Sequence, residues 1–397
     1  MAVVEPRLGD RTLFATLDAA VYANHAGMSP LSSPVAGAIT DAVAALARRG
    51  GGAGWELLGA REPVRAAAAA LVGAAAAEVG FVPNTTAGVR AAAFGLPWEP
   101  GSRVVCFAGE FPTNVTPWQR AAAAHGGEVV LLEVRDYAEQ PVRALEALER
   151  VLAAGRVLAV AVSAVQFQSG LRMPLAAIAE RCRAHGAWLC VDAIQACGVV
   201  PIDVVADGID ILACGGHKWL GGSMGLGFWV VREHVARALR PAVAGWTSHE
   251  DAADFLLRGP GHLRYDRPIR ARADFVEDGG FALALLPGLG AALGILHTLG
   301  VDAIFEHVQR WIDVLEPQLV DRGFTSLRAQ AAAGRSGILG LLPAAGVDVI
   351  ALHGALERRG IACATPDGVL RFAPHWANHV DEIPVLLAAL DASIAER

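Results

Sequence analysis

The chain has 397 residues, of which 54% are hydrophobic and 18% charged, and its formal net charge is −7. That composition excludes a disordered tract. An acidic balance with no basic, aromatic-interleaved patch offers nothing to a nucleic acid or an anionic membrane. The length predicts two domains.

Residues 22–34, YANHAGMSPLSSP, form a turn-rich opening after Val21 and Tyr22. A helix follows, capped by Ser33 with Pro34 in its first turn, favoured at its end by Arg48 and Arg49, and stopped by Gly50–Gly52. The alanine-rich stretch 63–78 predicts a second helix. Residues 79–83 read as a short strand and 87–96 as a helix. Thr85 and Thr86 fall at that helix's N-terminus, where hydroxyls and free N–H groups make an anion site. A plain Asn/Thr cap has the same pattern.

From there the alternation is regular. Apolar strands are expected at 104–107, 129–134, 157–162, 188–191 and 209–213, with helices between them, including 141–154 and 175–185. Such runs, separated by helices of ~10–15 residues, predict a mainly parallel sheet with helices on both faces. Ligands of such sheets sit at the carboxyl ends of the strands. Thr85, Thr86, Asp192, His217 and Lys218 all fall at such ends.

The stretch 210–232, DILACGGHKWLGGSMGLGFWVVR, sets Lys218 among glycines at the mouth of a strand. Glycine lets backbone N–H groups approach an anion, and a partly desolvated lysine can lose its proton and become a nucleophile. Residues 281–301 are apolar and long enough to span a bilayer. Pro287, His297, the interspersed glycines and the polar flanks predict a buried interdomain helix instead. Beyond it come an amphipathic helix at 301–322, a strand at 337–342 and a helix at 347–359. A hairpin of 361–364 with 369–372 is expected around PDG. The expected division is a large domain at 31–280 and a smaller α+β domain made of 1–30 and 281–397.

Three patterns point elsewhere and fail on context. GGSMG at 221–225 matches a hydrolase nucleophile elbow, which needs a helix after it, and an apolar strand-like run follows. Gly288, Gly290 and Gly294 are one residue too widely spaced for a dinucleotide fingerprint. Cys214 and His217 have zinc-like spacing but no second pair, so no metal is expected. The six cysteines (106, 182, 190, 197, 214 and 363) are scattered through apolar runs, which suits a reducing, cytoplasmic setting. The opening MAVVEPRLGDR has no basic or apolar leader region, so no secretory signal is expected.

A reactive lysine, an anion site and a buried aspartate at the ends of parallel strands suit pyridoxal phosphate chemistry. The lysine forms a Schiff base, a helix N-terminus takes the phosphate, and the carboxylate keeps the pyridine nitrogen protonated. NTT, EFPTN, VDAIQ, GGHK and a late arginine, in that order, resemble the fold-type I pyridoxal phosphate enzymes of the class V aminotransferase family. That family includes cysteine desulfurases, selenocysteine lyases, kynureninases and isopenicillin N epimerase-like proteins. The resemblance implies pyridoxal 5'-phosphate as cofactor, a small amino-acid substrate and a homodimer. It also implies a Schiff-base role for Lys218, which would move the Cα proton as well. Thr85, Thr86 and His217 would contact the phosphate, Asp192 the pyridine nitrogen and Gln195 the phenolic oxygen. Phe111 would stack on the ring, Arg371 would grip the substrate carboxylate, and Asn24 and His25 would lie in the substrate-binding loop.

Two departures stand out. Gly215 replaces a serine that commonly binds the phosphate, and VEDGGFA, with Gly279 and Gly280, lacks the hydroxyl that many members lend to a partner subunit. A desulfurase also needs a mobile cysteine upstream of the arginine, and Cys363 stands in an apolar run. A lyase of the C–S cleavage type or an aminotransferase is therefore expected. Desulfurase, epimerase and non-catalytic cofactor-fold binding protein are alternatives, and serine hydrolase is a remote one.

Overall fold

The computed structural model describes residues 5–396; residues 1–4, part of the stretch read for a leader, lie outside the described residues. Strand β1 (Val21–Tyr22) opens the chain. The next seven are β2 (Val79–Val82), β3 (Arg103–Ala108), β4 (Glu128–Glu133), β5 (Val157–Ser163), β6 (Trp188–Asp192), β7 (Ile211–Gly215) and β8 (Gly227–Val231). They form one sheet in the order β2-β8-β7-β6-β5-β3-β4. The architecture is α/β, as the alternation of apolar strands and helices predicts.

Strands β3 to β7 pair in parallel, and β8 runs antiparallel to both β7 and β2. The reversal at β8 follows from the short glycine-rich connection after β7, which leaves no room for the helical crossover that a parallel pair requires. Both sheet faces are covered. Along β3, Val105 and Phe107 join one hydrophobic core and Val104 and Cys106 the other; β5 and β6 split in the same way. Fully burying an aliphatic side chain such as Val160 or Leu189 contributes about 1.5–3 kcal/mol, which fixes the strand ends that carry the polar residues.

Several boundaries differ from the sequence expectation. Ser32, not Ser33, occupies the cap position of the helix Ser33–Arg49. Gly50 ends that helix, but Gly51 starts another (Gly51–Gly59) that the glycine run concealed. The alanine-rich helix spans Arg61–Leu71 and breaks at Gly73, which has φ +68°; only a single turn, Ala76–Glu78, follows. The apolar segment becomes the helix Leu286–Leu299, packed on Ser33–Arg49 and Arg61–Leu71. Gly288 allows that approach, since a Cβ there would lie 2.5 Å from Ile39. Among the described residues no single helix is long and apolar enough to cross a membrane. This helix meets the next, Val301–Val320, at a bend of 76°.

The remaining strands are β9 (Thr325–Ser326), β10 (Leu339–Leu342), β11 (Ile361–Ala362) and β12 (Leu370–Phe372). The expected hairpin does not form as a ladder. Strand β11 pairs in parallel with β1, and β12 pairs with β10, leaving one bridge, Ala364 with Arg371, between the two runs. The strand–strand hydrogen bonds go instead to β1 and β10, and the turn Pro366–Gly368 joins the two runs. This pairing carries Arg371 to the mouth of the large sheet.

Candidate active site

The carboxyl ends of β2, β5, β6 and β7 meet the turn Pro366–Gly368 around a cavity of about 420 Å³. Its lining includes Thr85, Thr86, Phe111, Asp192, Gln195, His217, Lys218 and Arg371. Eight of the ten residues singled out from the sequence are thus brought together.

Asn24 and His25 are not in the lining. His25 is buried behind it, and its place explains how the lysine turn is held. The Ser29 N–H donates to the His217 carbonyl at 2.8 Å and its hydroxyl to the Lys218 carbonyl at 2.6 Å. That hydroxyl proton is then spent, so His25 Nδ1, 2.7 Å from the Ser29 oxygen, must be the donor. His375 Nε2 donates to the Trp219 carbonyl at 2.8 Å, leaving its Nδ1 buried and unpaired. Burial holds His25 well below its ordinary pKa and His375 down to about 4, so both rings are neutral donors. Three successive carbonyls of the GGHKW turn are pinned from the two ends of the chain.

Lys218 projects toward the face of Phe111, its Nζ 5.8 Å from the ring centroid. Burial lowers the amine to about 8, against the opposing pull of Asp192 and with help from the Arg371 charge. Asp192 ends β6 fully buried, and burial raises it to about 6; the Ile194 N–H, at 3.0 Å, and Lys218 draw it back. A buried carboxylate with so few donors is costly unless a cation completes it. Gln195 donates to the Ala26 carbonyl at 3.0 Å and accepts from the Trp219 indole at 2.8 Å. Arg371 donates to the Phe167 carbonyl at 2.7 Å, while its Nε is buried without a partner. Burial brings its guanidinium down to about 10.

At the opposite corner the helix Thr85–Gly95 points its N-terminus at the cavity, with Asn84 capping Ala87. Thr85 accepts from the Gly215 N–H at 2.9 Å, and the Thr86 and Thr113 hydroxyls are hydrogen-bonded at 2.9 Å. A Cβ at Gly215 would come within 3.3 Å of both the His217 ring and Ile194, so a serine there would need those side chains to give by a few tenths of an ångström. Gly279 and Gly280 are not in the lining. Thr113 supplies a hydroxyl that sequence reasoning passed over although it lies inside EFPTN.

Sequence reasoning also missed Ser163, Phe167 and Glu110. Ser163 ends β5 in register with Asp192, so the same rule that found the aspartate could have found it. Glu110 lies behind Ser163 and opens EFPTN, in which only Phe111 was singled out. Elsewhere, Ser223 donates to the adjacent Met224 carbonyl, and its loop leads into β8 and not a helix. Among the described residues no group of three or more His, Cys, Asp or Glu is placed to hold a metal ion.

A sheet of this topology, with a lysine, a buried aspartate and a helix N-terminus converging at its strand ends, defines a fold-type I pyridoxal phosphate enzyme. Residues 21–370 match the family model Aminotransferase class-V, and the chain belongs to that family. YcbU of Bacillus subtilis (strain 168), described as an uncharacterized aminotransferase, is 29% identical over 375 residues, 94% of each chain. A cysteine desulfurase of Dickeya dadantii (strain 3937) is 34% identical over 252 residues, 62% of this chain and 58% of its own. Among solved structures, the Escherichia coli cysteine desulfurase CsdA superposes with a TM-score of 0.84 at 22% identity, covering 97% of this chain and 98% of that one. The cystine C–S lyase C-DES, in complex with its product cysteine persulfide, gives 0.84 at 22%, covering 96% and 99%. These two likenesses establish the shared fold.

Proposed function

We propose that the protein binds pyridoxal 5'-phosphate and acts on a small α-amino acid as a lyase of the C–S cleavage type. The observation that carries this reading is Lys218, an amine brought near neutrality beside a buried, under-bonded Asp192 and a half-bonded Arg371. The residues present fit the cofactor. Asp192 lacks the cation that a protonated pyridine nitrogen would be, and the threonine corner offers hydroxyls and helix N–H groups to a phosphate. The cofactor, when bound, supplies an electron sink conjugated to the substrate's Cα.

This chain's own residues do the rest. Arg371 receives the substrate carboxylate on its free donors. Lys218, whose amine burial brings down to about 8 and which is neutral above that pH, takes the proton from Cα and returns it. Thr85, Thr86 and His217 hold the phosphate end, Gln195 turns its remaining amide proton toward the ring oxygen, and Phe111 covers the ring. Asp192 keeps its negative charge at the far end of the cavity.

Cys363 favours a lyase over a desulfurase. It is buried, and burial drives its thiol up to about 12, so it offers no thiolate to accept sulfur. The likeness to YcbU over nearly the whole chain favours transamination as a second reading. A homodimer accords with the exposed apolar side chains Trp246, Leu256, Leu257 and Leu263.

The test loads the protein with pyridoxal phosphate, reduces it with borohydride and maps the modified peptide, then scores pyruvate, keto acid and sulfide release over a panel of amino acids. Lys218→Ala should lose both the trapped adduct and turnover. The same adduct in that variant overturns the reading, and so does loss of sulfide release in Cys363→Ala.

A further inference from the structure

We infer that Phe167 is the specificity-determining residue of this site: its ring is the wall for the substrate's side chain and confines the enzyme to amino acids whose side chains are uncharged. The inference rests on the roles proposed above for Lys218 and Arg371.

Those two groups fix where an amino acid must lie. With its carboxylate on Arg371 and its Cα beside Lys218, the third substituent of Cα faces the stretch between them. Phe167 occupies that stretch from both sides. Its carbonyl accepts the Arg371 Nη1 bond at 2.7 Å. Its ring stands edge to face against Phe111 at 5.4 Å and 83°, and Phe111 is the ring that meets the Lys218 amine. The Phe111 face is committed to the cofactor, which leaves Phe167 to meet the substrate. Val165 and Pro366 extend the same apolar lining.

The backbone around Phe167 is held in place. The Gln166 side chain accepts from the Gln168 N–H at 2.7 Å and the Ser169 N–H at 2.8 Å, and donates to the Gly109 carbonyl at 2.7 Å. Gln168 in turn donates to Asp367 at 3.2 Å across the cavity mouth. The ring is therefore carried by a loop fastened at both ends.

The charges in the lining argue for a neutral side chain. Asp192 lies at the cofactor's end of the cavity, and Asp367 at the rim is already bonded to Gln168, so a basic side chain meets no free carboxylate. An acidic one would compete with the substrate's own carboxylate for Arg371. Setting either against the Phe167 edge and the apolar Val165 and Pro366 leaves a charge without a hydrogen-bond partner.

The holoenzyme is assayed with L-cysteine, S-methyl-L-cysteine, L-aspartate and L-lysine, reading kcat/KM and the change in cofactor absorption. The wild type should favour the sulfur amino acids over aspartate and lysine by roughly tenfold or more. Phe167→Ala should shrink that ratio, and Phe167→Leu, which keeps an apolar wall, should preserve it. The borohydride adduct at Lys218 reports whether each variant is folded and loaded. Aspartate or lysine turned over as well as the sulfur amino acids overturns this inference alone, as does an unchanged ratio in a loaded Phe167→Ala. Silence toward every amino acid, with cofactor bound, overturns the proposed function and this inference with it.

Discussion

Glu110 closes on Ser163 with both carboxyl oxygens: the Ser163 N–H donates to Oε1 at 2.6 Å and its hydroxyl to Oε2. Ser163 lies in register with Asp192, so two buried carboxyl groups flank the floor of the site. Burial raises Glu110 from 4.5 to about 7, partly offset by the Ser163 bonds and reinforced by the Asp192 charge. The native state therefore holds a proton that the unfolded chain has released between these two values. Stability falls as pH rises through that window, by up to roughly 3 kcal/mol if Glu110 acts alone. Glu110→Gln cannot ionise and can still accept from Ser163. Its melting temperature relative to wild type should be higher at about pH 8 than at about pH 5. An equal difference at both pH values rejects the assignment.

Lys218 makes a kinetic prediction. Its amine, brought down from 10.5 to about 8, is protonated below that pH and nucleophilic above it. The rate at which cofactor-free protein captures pyridoxal phosphate should climb with pH up to about 8 and then level off. Asp192 opposes the depression, so Asp192→Asn should move the inflection lower, whatever it does to affinity. Stopped-flow absorbance measures both. An inflection near 10.5, or none, would mean that burial does not tune this lysine.

The strands and most of the site were legible in the sequence because each rests on short-range signals. Asp192 and Lys218 end apolar runs, and Thr85 and Thr86 open a helix beside them. What was not legible depends on contacts between distant segments. Glu110 is defined by a serine 53 residues away, and His25 by Ser29 and a carbonyl in the lysine turn. A histidine in a family active-site loop reads as a ligand, and here its Nδ1 bonds the Ser29 hydroxyl that holds the Lys218 carbonyl. The hairpin failed for the same reason, since β1, hundreds of residues earlier, outcompetes the local partner for β11. The second helix at Gly51 was hidden because glycine's low helix propensity is overridden by packing that only the assembled fold reveals.

Arg371 offers a binding test. Its Nη1 is committed to Phe167 and its Nε has no partner, so a substrate carboxylate would complete the guanidinium. Arg371→Lys keeps a charge and loses the fork. Loss of a hydrogen bond to a charged group, about 1.5–3 kcal/mol, corresponds to a KM higher by roughly 10- to 100-fold. Borohydride trapping of the cofactor at Lys218 should be unaffected. A KM within error of wild type would remove Arg371 from substrate binding.

Arg65 and Glu277 join the helix Arg61–Leu71 to the segment that carries Gly279 and Gly280. They meet at 2.7 Å with both side chains about 95% buried, and Glu277 also accepts the Phe81 N–H at 3.0 Å. Removing one member of a buried pair costs about 3–5 kcal/mol when the other is left alone; Arg61, 3.3 Å from the Glu277 carboxylate, stays after Arg65 is removed and holds the cost to the lower end of that range. Arg65→Met should therefore lower the melting temperature sharply, while Arg65→Met with Glu277→Gln recovers part of the loss. Additive losses in the double variant would show that the two charges do not depend on each other.

Ser29 is a positioning residue with no contact to substrate, and its effect should fall on turnover. Its hydroxyl donates to the Lys218 carbonyl and accepts from His25, so Ser29→Ala strands the buried His25 donor and leaves that carbonyl with only the Gly221 N–H, at 2.9 Å. The unsatisfied histidine donor costs about 1–3 kcal/mol. The Ser29 N–H bond to His217 survives the change, so the turn stays attached and the chain keeps its fold. What loosens is the backbone directly behind the amine. The variant should lose kcat while KM for the amino acid holds, because Arg371 and its neighbours are untouched. A rise in KM with kcat intact would instead place Ser29 in substrate binding. Wild-type kinetics would show that the His375 bond to Trp219 and the Ser29 N–H bond to His217 hold the lysine turn without the hydroxyl.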